Sequence, residues 1–280
     1  MKQLTSVNRI QIAFVALALF TVGCAKKTDQ NAQNPDSTAA SSKVEVKIIP
    51  ADQSPAFPDA KLEIVSPKEG QVFKNADDSF MVVMKVTGMD LAKPTDGDST
   101  KGIAYSKQGQ HVHVIIDSKP YMADYKNGEP FNVGVLAPGE HTIRAFPSRS
   151  WHESVKESAA FATRTFYVGS GPEKGGTDSM AATLKGPMLT YSRPKGTYSS
   201  DEGKKLLLDF FVSNAKLGAS DYKVTVSVDA LAIDTITDWK PYYITGLTSG
   251  KHSISLQLLD PKGAPASGMY NSPMGELTIQ

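Results

Sequence analysis

Glu129-Pro-Phe-Asn-Val-Gly-Val-Leu-Ala-Pro-Gly-Glu-His-Thr-Ile143 aligns without a gap on Lys240-Pro-Tyr-Tyr-Ile-Thr-Gly-Leu-Thr-Ser-Gly-Lys-His-Ser-Ile254. Pro130 and Pro241, Leu136 and Leu247, Gly139 and Gly250, and His141 and His252 stand at one constant offset. The offset persists to the ends, where Phe166-Tyr-Val168 meets Leu277-Thr-Ile279, and it changes by one residue upstream, where Asp117 meets Asp229. A fixed offset over this length marks one structural unit present twice, at residues 61–169 and 187–280. The segment between, 170–186, begins Ser170-Gly-Pro-Glu-Lys-Gly-Gly and reads as a linker.

Both copies read as strands. Val112, Val114 and Ile116 alternate with His111, His113 and Ile115, and Val224, Val226 and Val228 alternate with Lys223, Thr225 and Ser227. This period of two belongs to a sheet with one face in a core. No stretch sustains a helical period, although Trp151 to Ala162 could form a turn or two. Units of this length, built from short strands with Gly and Pro turns, fit all-β sandwiches. The shared Leu-x-x-Gly-x-His-[Thr/Ser]-Ile stretch resembles the turn and penultimate strand of immunoglobulin-like or fibronectin-III-like domains in bacterial envelope proteins. The resemblance implies two tandem sandwiches, and the repeat offset with the glycine-rich linker leads to the expectation that they fold separately, with no shared core. It names no activity.

The N-terminus points to export. Lys2 and Arg9 precede an apolar run from Ile10 to Val22, broken only by Gln11 and Thr21. As a helix this run is ~20 Å long, short of a ~30 Å bilayer core, so it suits a signal peptide (1–23) better than a permanent span. It ends at Thr21-Val22-Gly23-Cys24, and Cys24 is the sole cysteine. That ending resembles the lipobox of bacterial lipoproteins, with Thr21 where Leu is usual. The resemblance implies a diacylglycerol (and palmitate) anchor on Cys24. Ala25 follows where an Asp would resemble an inner-membrane retention signal, which implies the outer membrane if the cell has one. Residues 24–60 hold few large apolar groups up to about Ser42 and are expected to be a disordered tether.

Thirty basic and 29 acidic residues give a net charge of +1, which offers no field for nucleic acid. With one cysteine there is no internal disulfide framework. No nucleophile elbow, P-loop or dinucleotide fingerprint appears, and His152-Glu153 lacks the second histidine of a zincin, with Lys156 in its place. The expectation is therefore no enzyme; a hydrolase using Ser148, Ser150 and His152 is the distant alternative. Trp239, Tyr242 and Tyr243 could offer a stacking surface to sugar or peptide.

The copies differ at one end. His141 and His252 recur after the same turn and are read as structural. His111 and His113 are replaced in the second copy by Lys223 and Thr225, so the scaffold does not require them. At i, i+2 on a strand they share one face, opposite the valines and expected to meet solvent. In an immunoglobulin-like order their strand is the third. The loop before it carries about 14 extra residues, including Asp96 and Asp98. The loop after the penultimate strand carries Arg149, Trp151, His152 and Glu153, and these two loops share one end of a sandwich. This end is the candidate ligand site. Two imidazoles supply half a shell for Cu or Zn; a plain solvated surface is the alternative, with no cofactor. The readings left open are a lipid-anchored envelope scaffold that binds a protein or glycan, and a metal-binding lipoprotein using His111, His113 and His152.

Overall fold

A computed structural model describes residues 45–52, 54–75, 79–97, 103–171 and 180–280. Cys24, the signal segment and Asp98 lie outside the described residues. Strand β1 (Lys47–Pro50) precedes both repeats. The first copy contributes β2 (Lys61–Ser66), β3 (Gln71–Phe73), β4 (Phe80–Thr87) and β5 (His111–Ile116). It continues with β6 (Met122–Asp124), β7 (Pro130–Gly134), β8 (Gly139–Ser148) and β9 (Ala162–Val168). A one-turn helix α1 (Met180–Thr183) falls in the linker stretch. The second copy runs β10 (Met188–Arg193), β11 (Gly196–Tyr198), α2 (Ser200–Gly203), β12 (Lys205–Ser213) and β13 (Lys223–Val228). It ends with β14 (Leu231–Ile236), β15 (Tyr242–Thr245), β16 (Gly250–Leu259) and β17 (Met274–Ile279).

The chain is all-β, two tandem immunoglobulin-like sandwiches. In the first, the sheet β2-β4-β7 faces β3-β9-β8-β5-β6; in the second, β10-β12-β15 faces β11-β17-β16-β13-β14. Each strand of one copy has its counterpart in the other, including the parallel pairs β3 with β9 and β11 with β17. Each copy has its own core. Leu62, Ile64, Val82, Met84, Val112, Val114 and Phe166 fill the first, and Leu206, Leu208, Phe210, Val224, Val226 and Leu256 fill the second.

The recurring histidines tie the same corner in both copies. His141 meets the Asp117 carboxylate at 2.9 Å and the Ala137 carbonyl at 2.7 Å. His252 meets Asp229 at 2.7 Å and the Thr248 carbonyl at 2.8 Å. Each aspartate also accepts a backbone N–H, from Thr142 and from Ser253. Asp117 and Asp229 both sit at positive φ, 56° and 49°, where the carboxylate meets the neighbouring strand, β8 or β16.

Three sequence expectations need correction. First, the tether does not extend to residue 60. β1 pairs antiparallel with β15 and adds a fourth strand to the second sandwich, with Ile48 opposite Ile244. Val46 and Ile48 pack on that core, and this burial outweighs the polar composition around them.

Second, the sandwiches share apolar clusters besides their own cores. Ile115, Tyr121 and Phe146 of the first join Phe211 of the second, with Phe161 and Trp239 alongside. The Phe146 and Phe211 rings stack with centroids 5.2 Å apart, and Phe161 and Phe211 at 4.6 Å. Trp151 lies against Leu207 and Tyr243. The cause is β12: Leu206, Leu208 and Phe210 face its own core, while Leu207 and Phe211, on the opposite face, need a second cover. Trp239, Tyr242 and Tyr243 belong to these clusters, so they present no free stacking surface.

Third, the polar face of β5 is not in solvent. His111 and His113 are fully buried, as are Arg144 and Ser148 on the neighbouring β8. The second sandwich covers them.

Candidate functional site

His111 and His113 project from β5 on the face away from the valine core. His152 reaches them from the loop after β8. That loop is a tight turn: Arg149 N–H donates to the Glu153 carbonyl at 2.9 Å, and His152 N–H donates to the Arg149 carbonyl at 2.8 Å. His152 takes φ 66°. Its side chain thus turns towards β5 while Trp151 turns into the apolar cluster with Leu207.

The three rings converge. His111 Nε2 lies 3.0 Å from His113 Nε2 and 3.0 Å from His152 Nδ1. One nitrogen from each ring falls within 4.8 Å of the other two. Nitrogens held tetrahedrally at ~2.0–2.1 Å from a zinc-sized ion are about 3.3 Å apart, so seating one takes a few tenths of an ångström of opening at the two pairs His111 makes, with the His113 and His152 nitrogens brought to the same spacing.

Protons follow from the outer partners. His111 Nδ1 lies 2.9 Å from the Gly109 carbonyl; a carbonyl only accepts, so Nδ1 carries the hydrogen and neutral Nε2 presents a lone pair to the centre. Gly109 has φ +88°, and a Cβ there would run into the Lys93 backbone, so glycine is required where that carbonyl turns. His113 Nδ1 lies 3.1 Å from the Ser192 hydroxyl of the second sandwich. Tyr121 stacks on His113 at 3.5 Å between centroids, and its hydroxyl is 3.3 Å from His152 Nδ1. The Gly109 carbonyl and the Ser192 hydroxyl meet nitrogens turned away from the centre, as partners that orient metal-binding imidazoles do, whereas the Tyr121 hydroxyl meets the His152 nitrogen that faces it.

All three rings are held neutral at physiological pH. Burial, with Arg193 and Lys195 nearby, pushes His111 down to about 4 and His152 down to about 2. Burial and the neighbouring histidines drive His113 well below its usual range. No carboxylate among the described residues joins the three.

The other candidate residues do not reach this centre. Arg149 pairs with Glu153 at 3.1 Å and donates to the Pro55 carbonyl. Glu153 also accepts from Trp151 Nε1 at 2.8 Å and from Ser54 at 2.5 Å. These residues fasten the loop to the segment after β1. Ser148 and Ser150 bond to the loop backbone and to Thr95, so neither completes a triad with His152. The enlarged loop before β5 builds a wall: Thr95 is locked to Ser150, and Ile103 and Tyr105 pack on Trp151. Sequence reasoning missed Tyr121, Ser192, Arg193 and Lys195. Their part depends on how the sandwiches meet, and no local pattern carries that information.

No family model and no curated protein matches this chain. Among solved structures it is similar to fibronectin(III)-like modules of Clostridium thermocellum CbhA, at 15% identity over 78% of this chain and 94% of that one, with a TM-score of 0.26. The Bacteroides ovatus glucan-locus protein SGBP-B, solved with a mixed-linkage heptasaccharide, aligns at 15% identity over 79% of this chain and 47% of that one, TM-score 0.23. A putative membrane-anchored protein of Corynebacterium diphtheriae aligns at 14% over 79% and 53%, TM-score 0.26. At such scores these likenesses carry no functional weight, and the two-sandwich assignment stands on the strand order above.

Proposed function

We propose that this protein is an exported, lipid-anchored envelope protein that binds one copper or zinc ion through His111, His113 and His152. The convergence of three neutral imidazole nitrogens in a buried seam carries this reading. Uncharged histidines offer their lone pairs without first losing a proton, and an all-imidazole donor set suits copper and zinc over magnesium or calcium. Arg193 and Lys195 lie close enough to depress the histidines. That field favours monovalent copper, or a divalent ion that keeps an anion on its open position. The role is binding, not catalysis, with the ion also clasping the two sandwiches through the Ser192 contact.

The test is titration of the detergent-solubilised, metal-stripped full chain with Cu⁺ under reductant, Cu²⁺ and Zn²⁺ near neutral pH, beside a His111→Ala/His113→Ala variant. One copper or zinc ion per chain is expected, and none in the variant. Equal binding by both proteins, or by neither, sinks the site.

The anchor rests on the short apolar run that ends at the sole cysteine, Cys24. Wild type should sediment with bacterial membranes and Cys24→Ser should appear in the soluble envelope fraction. Identical partitioning of the two would remove the lipid from the reading.

A further inference from the structure

Beside the histidine centre, on the same seam, lies a cavity of about 630 Å³, within the range of small-molecule sites. Both sandwiches line it. Arg144, Lys119 and Tyr121 come from the first, and Lys195, Tyr191 and Tyr270 from the second.

Its charge is unbalanced. Arg144 is only 4% exposed, yet among the described residues no carboxylate pairs with it, with Lys119 or with Lys195. Arg144 donates to the Thr190 hydroxyl at 3.0 Å and to the Asp117 backbone carbonyl at 2.8 Å. Its Nε is buried and has no partner. The guanidinium stacks on the Tyr270 ring at 3.9 Å. Lys195 Nζ sits 3.4 Å from the Tyr121 ring centroid and donates to the Tyr121 carbonyl at 2.6 Å. The acid on the lining, Glu276, is exposed. The nearby Asp117 carboxylate favours the charged guanidinium but is tied to His141 and the Thr142 N–H, and a buried arginine without a directly paired acid gains from a further counter-charge. Arginine and lysine held against aromatic faces at one cavity are suited to a flat anion.

We infer that this cavity binds a small carboxylate with a flat apolar body, its carboxylate facing Arg144 and Lys195 and its body against Met269, Met274 and the tyrosine edges. The tyrosines and the adjoining Met269 and Met274 supply apolar wall, and the bare backbone of Gly275 lets the Tyr191 ring close one side. A Cβ at Gly275 would collide with Tyr191. This site has its own charged groups, Arg144 and Lys195, and shares the Tyr121 ring with the histidine centre, where it stacks on His113.

The experiment is a fluorescence titration of the full chain with 2-naphthoate and, in parallel, its neutral isostere 2-naphthamide. It is run on wild type, Arg144→Met, Lys195→Met and a remote surface variant, Leu231→Ala. Saturable binding of one naphthoate per chain is expected, with the amide and both cation variants weaker by about tenfold or more. Leu231→Ala should bind as wild type does. Absence of saturation, equal binding of acid and amide, or undiminished binding by Lys195→Met overturns the proposal. Lys195 is only half-buried, so that variant keeps the test decisive if Arg144→Met fails to fold.

Discussion

At the scale of single residues, the five histidines divide by what each ring nitrogen faces. His141 and His252 each meet a carboxylate and a carbonyl, two acceptors, so a ring that satisfies both must carry two protons. The hydrogen bond to Asp117 outweighs burial and raises His141; at His252 burial opposes, and the bonds to Asp229 and Thr248 prevail. A raised folded value means that these pairs stabilise the protein below the unfolded histidine value of about 6.5. That contribution fades as pH climbs through the folded value. His111, His113 and His152 behave oppositely. Their depressed values leave stability intact above about 6.5 and erode it as pH falls from there towards about 4. Histidine C2-proton NMR of the metal-free protein should therefore show two rings titrating above 6.5 and three still neutral at mildly acid pH. Five rings titrating together near 6.5 would contradict both environments.

At the scale of elements, the legible part was whatever repeats or alternates. The doubled Gly-x-His turn marks β8 and β16, and the valine alternation marks the core faces of β5 and β13. The loop contrast singles out His111, His113 and His152, which the structure brings together. The other face of β5 was not legible as buried, because alternation shows only that one face meets a core. The pattern does not say whether water or protein covers the second face. Two signs pointed to protein. Ile115 continues the histidine face, and Leu206-Leu-Leu-Asp-Phe-Phe-Val212 runs apolar through both faces of β12, as a strand covered on two sides does. β1 was hidden for another reason. Four residues are too few to show a period, and β1 is held as a strand by ladder bonds to β15, a partner nearly two hundred positions away. Arg149, Trp151 and Glu153 have the residue types of a site, yet their partners include each other, Ser54 and the Pro55 and Ser154 carbonyls.

For the whole molecule, the seam decides whether two sandwiches unfold as two bodies or one. Its polar contacts could not be abandoned cheaply. Asp209 of β12 is 1% exposed and takes Lys156 at 2.6 Å and the Ser154 hydroxyl at 2.9 Å, both from the first copy. Separation would leave that carboxylate on an open sheet face and bare Phe211, Phe146, Trp151 and Leu207 to water. β1 would be affected too, since it belongs to the second sandwich while the segment after it is fastened to Glu153 of the first. The described body should accordingly unfold in one calorimetric transition, with van't Hoff and calorimetric enthalpies equal. Phe211→Ala removes the ring that stacks on both Phe146 and Phe161. It should cost about 3–5 kcal/mol, the usual range for a buried phenylalanine, and lower the midpoint of that single transition. Fragments 61–169 and 187–280 each lack a seam partner, and the second also lacks β1. Each should melt well below the intact chain and bind a dye for exposed apolar surface. Two resolved transitions in the intact protein, with fragments as stable as the whole, would mean that each sandwich stands on its own core and that the seam is only a contact.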